Sequence, residues 1–239
     1  LALTDVNGLY AIGWFYRACQ TCNLTPIIGA EIRHESGRAV LLPYSRAGYA
    51  NLCQIISNRH LNPDFQLSQA LKANNADLFA ITDHISTLEN IADHFGSGRL
   101  YAEIRSGQSE RSSLLAFVER LGIPPVVTGD VHFLDKEDYD LHARVCAMAQ
   151  KKTVKTVPRE ELAHREAWLK GAEKMEREFA PYFEALANTE IIAEKCRQFR
   201  FQAKKLVFPR YSGKNGKTAA SELRRLALDA VEEKYMGSA

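Results

Sequence analysis

Asp130 and His132 stand two residues apart just after the short apolar run Pro124-Pro125-Val126-Val127. In an extended chain, side chains at i and i+2 leave on the same face, so a carboxylate and an imidazole are offered together. Asp83-His84 ends a second strand-like run, 77–82, while Asp5 and Glu31 close runs at 1–3 and 27–32. Carboxylates and imidazoles converging at strand ends suit binding of Zn²⁺, Mn²⁺ or Mg²⁺ and hydrolysis of a phosphoester. Taken singly, each Asp is better explained as a turn residue or helix cap. Repetition at four strand ends is what points to a site. Glu103 ends one more strand, and there a structural hydrogen-bonding role is the plainer reading.

The elements that must position these residues follow from periodicity. Strands are predicted at 1–3, 27–32, 39–43, 77–82, 100–104 and from Val126. Helices are predicted at 9–22, 46–58, 65–73, 88–95 and 112–121, the last closed by Gly122. This alternation over the first 135 residues predicts parallel βα units, and their number favours a closed or distorted barrel over an open sheet. After Phe133 the chain turns helical and polar, with helices expected at 138–149, 160–179 and 181–196. Leu206-Val207-Phe208-Pro209 then breaks the pattern before a Gly/Lys loop at 212–217 and a last helix at 218–235.

Length and charge set outer bounds. A chain of 239 residues holds one large domain, or one domain and a fragment of another, and a formal charge of +2 gives no electrostatic case for a nucleic-acid module. Five scattered cysteines suggest a reducing cytoplasm, and Cys19-x-x-Cys22 lacks the second pair a zinc ribbon needs. No apolar run reaches ~18 residues, so no membrane partner is expected. Leu1-Ala2-Leu3 reads as the body of a strand, and Tyr235 to Ala239 closes just after a helix, which suggests a piece of a longer protein. Lys151, Lys152, Lys155, Lys204, Lys205, Arg210, Lys214 and Lys217 are spaced cations of the kind a DNA strand prefers, although solubility explains each cluster as well. Gly213-x-x-Gly216-Lys217-Thr218 lacks the glycine spacing of a phosphate loop. His34 and His142 read as surface residues, His94 as a residue near a helix C-terminus, and His164 as part of a solvated helix face at 159–165.

Several motifs in order carry a resemblance: Leu1-Ala-Leu-Thr-Asp-Val-Asn-Gly-Leu-Tyr, Pro26-Ile-Ile-Gly-Ala-Glu31, Gly48-Tyr-Ala-Asn-Leu-Cys53 and Thr128-Gly-Asp-Val-His132-Phe-Leu. Together they resemble the polymerase and histidinol phosphatase (PHP) domain of the bacterial DNA polymerase III alpha subunit, most closely its error-prone branch. Pro181-Tyr-Phe-Glu-Ala-Leu-Ala-Asn-Thr189 and Ile191-Ile-Ala-Glu-Lys-Cys196 are similar to the family's segment after the barrel.

The resemblance implies a distorted, seven-stranded, TIM-like βα barrel at 1–135 without its first strand and helix. It also implies a helical segment at 136–205 and the start of the polymerase core at 206–239. It implies metal ligands at Glu31, His84, Asp130 and His132, able to take Zn²⁺ or Mn²⁺ in a partial site. Other family ligands are missing: Val6 stands where the family has histidine, Asn58 replaces another, and His60 is a distant substitute. The family's opening His-x-His would lie upstream of Leu1. The expectation is therefore a degenerate site and a scaffold role in replication or translesion synthesis. DNA and other polymerase subunits would be partners through the parent enzyme, whose Mg²⁺-binding palm lies outside this chain. The alternative is a metal-dependent phosphoesterase or 3′-5′ exonuclease using the residual Glu/His/Asp/His cluster.

Overall fold

The computed structural model describes residues 1–96, 98–201, 211, 218–231 and 234–235. The break at Leu206-Val207-Phe208-Pro209, the loop at 212–217 and Lys204, Lys205, Arg210, Lys214 and Lys217 lie outside the described residues. Chain contacts divide it into two compact units, Leu1–Arg200 and Phe201–Ala239.

The first unit is built on one sheet whose spatial order follows the sequence: β1 (Ala2–Val6), β2 (Ile27–His34), β3 (Gly37–Pro43), β4 (Leu78–Thr82), β5 (Leu100–Ile104) and β6 (Pro125–Val127). It corrects the expected barrel in two respects. The sheet is mixed, because β2–β3 and β3–β4 pair antiparallel while the other pairs are parallel. Glu35 and Ser36 alone join β2 to β3, and so short a link can only make a hairpin. The sheet is also open, with six strands among the described residues where seven were expected, and β1 and β6 at its edges.

Helices flank the sheet: α1 (Ile12–Thr21), α2 (Arg46–Leu61), α3 (Leu67–Ala73), α4 (Ile85–Ile91), α5 (Arg111–Leu121), α6 (Tyr139–Ala149), α7 (Ala172–Glu178) and α8 (Phe183–Arg197). Ser45 caps α2 by accepting the Gly48 amide at 3.1 Å, and Gly122 ends α5 in the left-handed conformation at φ +65°. The edge of β6 is closed by α8. The Pro125 carbonyl accepts Asn188 Nδ2 at 2.8 Å, and the Val127 carbonyl accepts Thr189 Oγ1 at 3.0 Å. Pro124 O turns the other way, to the amide of Ala102 in β5, so these two carbonyls are the ones a further strand would need.

Strand alternation separates two faces. One face carries Ala30, Ile32, Ala39, Leu41, Leu78, Ala80, Leu100, Ala102, Ile104 and Val127, packed on buried residues of α2, α3, α4 and α5. The other is apolar at one end only, where Ile27, Leu42, Phe79, Ile81, Tyr101 and Val126 meet Ile192 and Cys196 of α8. Burial pushes the Cys196 thiol up to about 12, so it packs as a neutral apolar group.

The expected helix at 160–179 is present only as α7 and a short 3₁₀ turn, Arg159–Glu161. Between them the chain turns at 165–166 and then bridges the segment after β6 at Phe133 and Trp168. His132 N donates to Ala167 O at 2.8 Å, and Leu169 N to Phe133 O at 3.1 Å. Backbone pairing outweighs helical propensity there. In the second unit, α9 (Ala219–Val231) carries Arg225 paired with Asp229 at 2.5 Å. Among the described residues, no helix is long and apolar enough to cross a membrane.

Candidate functional site

The half-apolar face becomes charged as its alternation continues. Ile27-x-Gly29-x-Glu31-x-Arg33, Phe79-x-Ile81-x-Asp83, Tyr101-x-Glu103-x-Arg105 and Val126-x-Thr128-x-Asp130 each pass from bulk or small apolar residues to a charge. Gly29 has to be small, since a Cβ would come within 2.6 Å of Leu41 O and 2.5 Å of Leu42 Cδ2. β3 runs antiparallel to its neighbours, so its first residues, Gly37 and Arg38, lie at the same end as the others' last. Four carboxylates and three guanidinium groups from five strands thereby meet above the core.

Arg38 is the centre of this group. Its Nε lies 2.5 Å from Glu31 Oε1, Nη1 contacts Glu103 closely and stands 3.5 Å from Asp83 Oδ1, and Nη2 lies 3.3 Å from Asp130 Oδ1. Arg105 binds Asp83 at 2.6 Å and Asp130 at 2.9 Å, and Arg33 closes on Glu31 from the rim. Glu103, 1% exposed, also accepts Thr128 Oγ1 at 2.6 Å. The expectation that Glu103 serves mainly as a hydrogen-bonding structural residue agrees with this geometry, in which it is the most deeply buried acid of the cluster.

The sequence-predicted ligands divide. Glu31 and Asp130 are in the cluster, each on arginine. His132 Nε2 lies 3.5 Å from Asp130 Oδ1 at the rim. His84 is exposed, with Nδ1 3.3 Å from Ser86 Oγ. Asp5 lies in β1 opposite Ala30, and its Oδ2 accepts the Ala11 amide at 2.7 Å. Val6 stands opposite Glu31 in the β1–β2 register, and His60 Nε2 meets the Asn7 carbonyl at 2.7 Å. Among the described residues, no group of three or more His, Cys, Asp or Glu is arranged to hold a metal ion. With every inward carboxylate on a guanidinium, the residues as arranged do not fit the metal cluster the family implies. The arginines are what sequence reasoning missed. Arg33 and Arg105 carried a signal, an acid two residues before each at Glu31-x-Arg33 and Glu103-x-Arg105, whereas Arg38 follows Ser36-Gly37 and carried none.

A cavity of about 1240 Å³ opens above the cluster, lined on its far side by α6 and by the segment around 154–165. His142 and His164, expected on solvated surfaces, both line it. His142 Nε2 accepts the Ala163 amide at 3.1 Å, and burial, together with neighbouring His132, lowers its imidazole below the usual histidine value. His164 sits on Gly107, where φ is +73° and a Cβ would fall 2.0 Å from the imidazole. Lys170, whose side chain is 2% exposed, fastens this segment through Ser106 Oγ at 2.5 Å and Glu178 at 3.2 Å.

Burial pushes the Asp130 carboxyl up, but its hydrogen bond to His132 and the Arg38 and Arg105 charges outweigh it and hold the group well below the carboxylate range. A depressed folded-state value gives stability that is present above the unfolded value of about 4 and lost as pH falls through the folded one. Thermal melts taken from neutral pH downward should show this acid limb. Asp130→Asn should be less stable at neutral pH and flatter below about pH 4; an unchanged limb would remove Asp130 from the account.

Residues 1–81 of this α/β chain match the PHP domain family. The chain is homologous along nearly all its length to bacterial DNA polymerase III alpha subunits and error-prone DNA polymerases. The alpha subunit of Xylella fastidiosa is 27% identical over 273 residues, covering 99% of this chain and 22% of that protein. The error-prone polymerase of Symbiobacterium thermophilum is 27% identical over 277 residues, covering 98% of this chain and 25% of its own length. The Bacillus subtilis alpha subunit reaches 31% over 225 residues, 82% of this chain and 20% of that protein. The chain thus spans about a fifth to a quarter of the relatives it matches.

Proposed function

We propose that this chain is the PHP portion of a DNA polymerase of the alpha-subunit or error-prone kind, acting there as a scaffold without hydrolytic chemistry of its own. One observation carries the reading: the carboxylates that would hold catalytic metals are each engaged by Arg38, Arg105 or Arg33. A general base or metal ligand must have a free lone pair directed at its partner, and these are committed to guanidinium. In this reading DNA, other polymerase subunits and the Mg²⁺ of the polymerase palm belong to the parent enzyme, in the cytoplasm. The second reading is a metal-dependent phosphoesterase or 3′-5′ exonuclease using Glu31, His84, Asp130 and His132 with Zn²⁺ or Mn²⁺. The cavity above the rim favours it.

Hydrolysis of bis(p-nitrophenyl) phosphate and of 3′-labelled single-stranded DNA, with Mn²⁺ or Zn²⁺ added, separates the two. The scaffold reading expects no rate above background. Metal-dependent turnover that disappears in both Asp130→Ala and His132→Ala would establish the hydrolase instead.

A further inference from the structure

We infer that the polar centre of this fold is a guanidinium site in place of a metal site: Arg38 is the cation around which Glu31, Asp83, Glu103 and Asp130 are arranged, and the space it fills will accept free guanidinium ion when the side chain is removed. This rests on the scaffold reading and adds what the cluster is built to hold.

The geometry distinguishes the two kinds of cation. A divalent ion needs its donors drawn in to about 2.0–2.2 Å around one point. A guanidinium needs acceptors spread about a plane at hydrogen-bond distance, one set for each nitrogen. The second pattern is the one present. Nε faces Glu31 of β2 at 2.5 Å, Nη1 faces Glu103 of β5 with Asp83 at 3.5 Å, and Nη2 faces Asp130 at 3.3 Å. All three nitrogens of one planar cation are used, on carboxylates from four different places in the chain.

The backbone holds this cation at a fixed point. Thr82 Oγ1 donates to Arg38 O at 2.5 Å, which anchors the start of β3 to the end of β4. The side chain is 14% exposed and lines the cavity above the rim, so a small ion has a path to the place it would vacate. Arg105 remains on Asp83 and Asp130 when Arg38 is truncated, so the vacancy keeps its walls. What is lost is the close contact with Glu31 Oε1 and Glu103 Oε2, which keep only Arg33 at the rim and Arg105 at 3.7 Å as cations.

The experiment is a set of thermal melts on the whole chain, with wild type and Arg38→Ala each measured in EDTA, MnCl₂, millimolar guanidinium chloride and equal NaCl. Wild type should be indifferent to EDTA and Mn²⁺. Arg38→Ala should lose roughly 10 °C, because carboxylates are left buried without their cation. Guanidinium, far below denaturing concentrations, should restore part of that loss relative to NaCl while giving no increase in wild type. Arg38→Lys keeps a point charge without the planar fork, so it should fall between the two and gain nothing from guanidinium. If Arg38→Ala fails to fold, Arg38→Ala/Glu103→Gln removes one opposing charge and the same rescue is read there. A fall in wild-type melting temperature with EDTA, rescue by Mn²⁺ in place of guanidinium, or no guanidinium rescue in the folded variant would each overturn the inference. The scaffold reading is tested separately by hydrolysis, so a failed rescue with no hydrolysis rejects the guanidinium site alone.

Discussion

Glu103→Ala is expected to lower the free energy of unfolding by about 3–5 kcal/mol, the range for removing one partner of a buried ion pair. Glu103 is 1% exposed and meets Arg38 from β5, with Arg105 Nη1 at 3.7 Å and Thr128 Oγ1 at 2.6 Å. Truncation leaves a guanidinium and a hydroxyl turned toward an apolar methyl group. The loss therefore comes mainly from the desolvated Thr128 hydroxyl and Arg38 Nη1, each deprived of its nearest acceptor, and less from the attraction itself. Glu103→Gln should lose less, since the amide oxygen can still accept from Thr128 or Arg38. Urea unfolding followed by circular dichroism measures both. A loss below about 1 kcal/mol would mean the pair behaves as a surface salt bridge, and the rim would not be the polar core described here.

The second large effect lies far from the charges. Phe179→Ala should destabilise by about 3–5 kcal/mol, as for a fully buried aromatic replaced by a methyl group. Phe179 is 0% exposed in the helix-side core, with the Arg111 guanidinium of α5 5.0 Å from its ring centre. It follows α7, so it joins the polar part of the chain after the sheet to the layer behind β5. If the sheet and the residues up to Arg200 fold as one unit, far- and near-ultraviolet signals should move together in the variant. Two separated transitions, with the first confined to residues after 135, would show instead that Phe179 only fastens an appendage.

Some of this was legible from residues alone. The six strand-like runs and the helices between them follow from periodicity, because a half-buried strand and an amphipathic helix leave different spacings of apolar side chains. The hairpin of β2 and β3 across Glu35-Ser36 was not foreseen, since parallel βα units were expected throughout. Gly122 announced the end of α5 because a left-handed residue there favours glycine. The non-helical course between Arg159–Glu161 and α7 was not legible. Its charged residues favour a helix in isolation, and only the backbone of His132 and Phe133, brought alongside by β6, offers a better set of hydrogen bonds.

The candidate site divides along the same line. The sequence by itself determined that acids stand at successive strand ends, because two-residue alternation sends Glu31, Asp83, Glu103 and Asp130 to one face of any sheet built from these strands. The family resemblance followed from the same residues, and with it the expectation of metals. Only the tertiary structure decided what those acids face. Arg38 begins a strand that the two-residue link at Glu35-Ser36 turns back against its neighbours, and the spacing of apolar side chains does not by itself carry that direction. Once β3 is reversed, its first charged side chain arrives where the others end. A guanidinium then occupies the position where spacing alone suggested an ion.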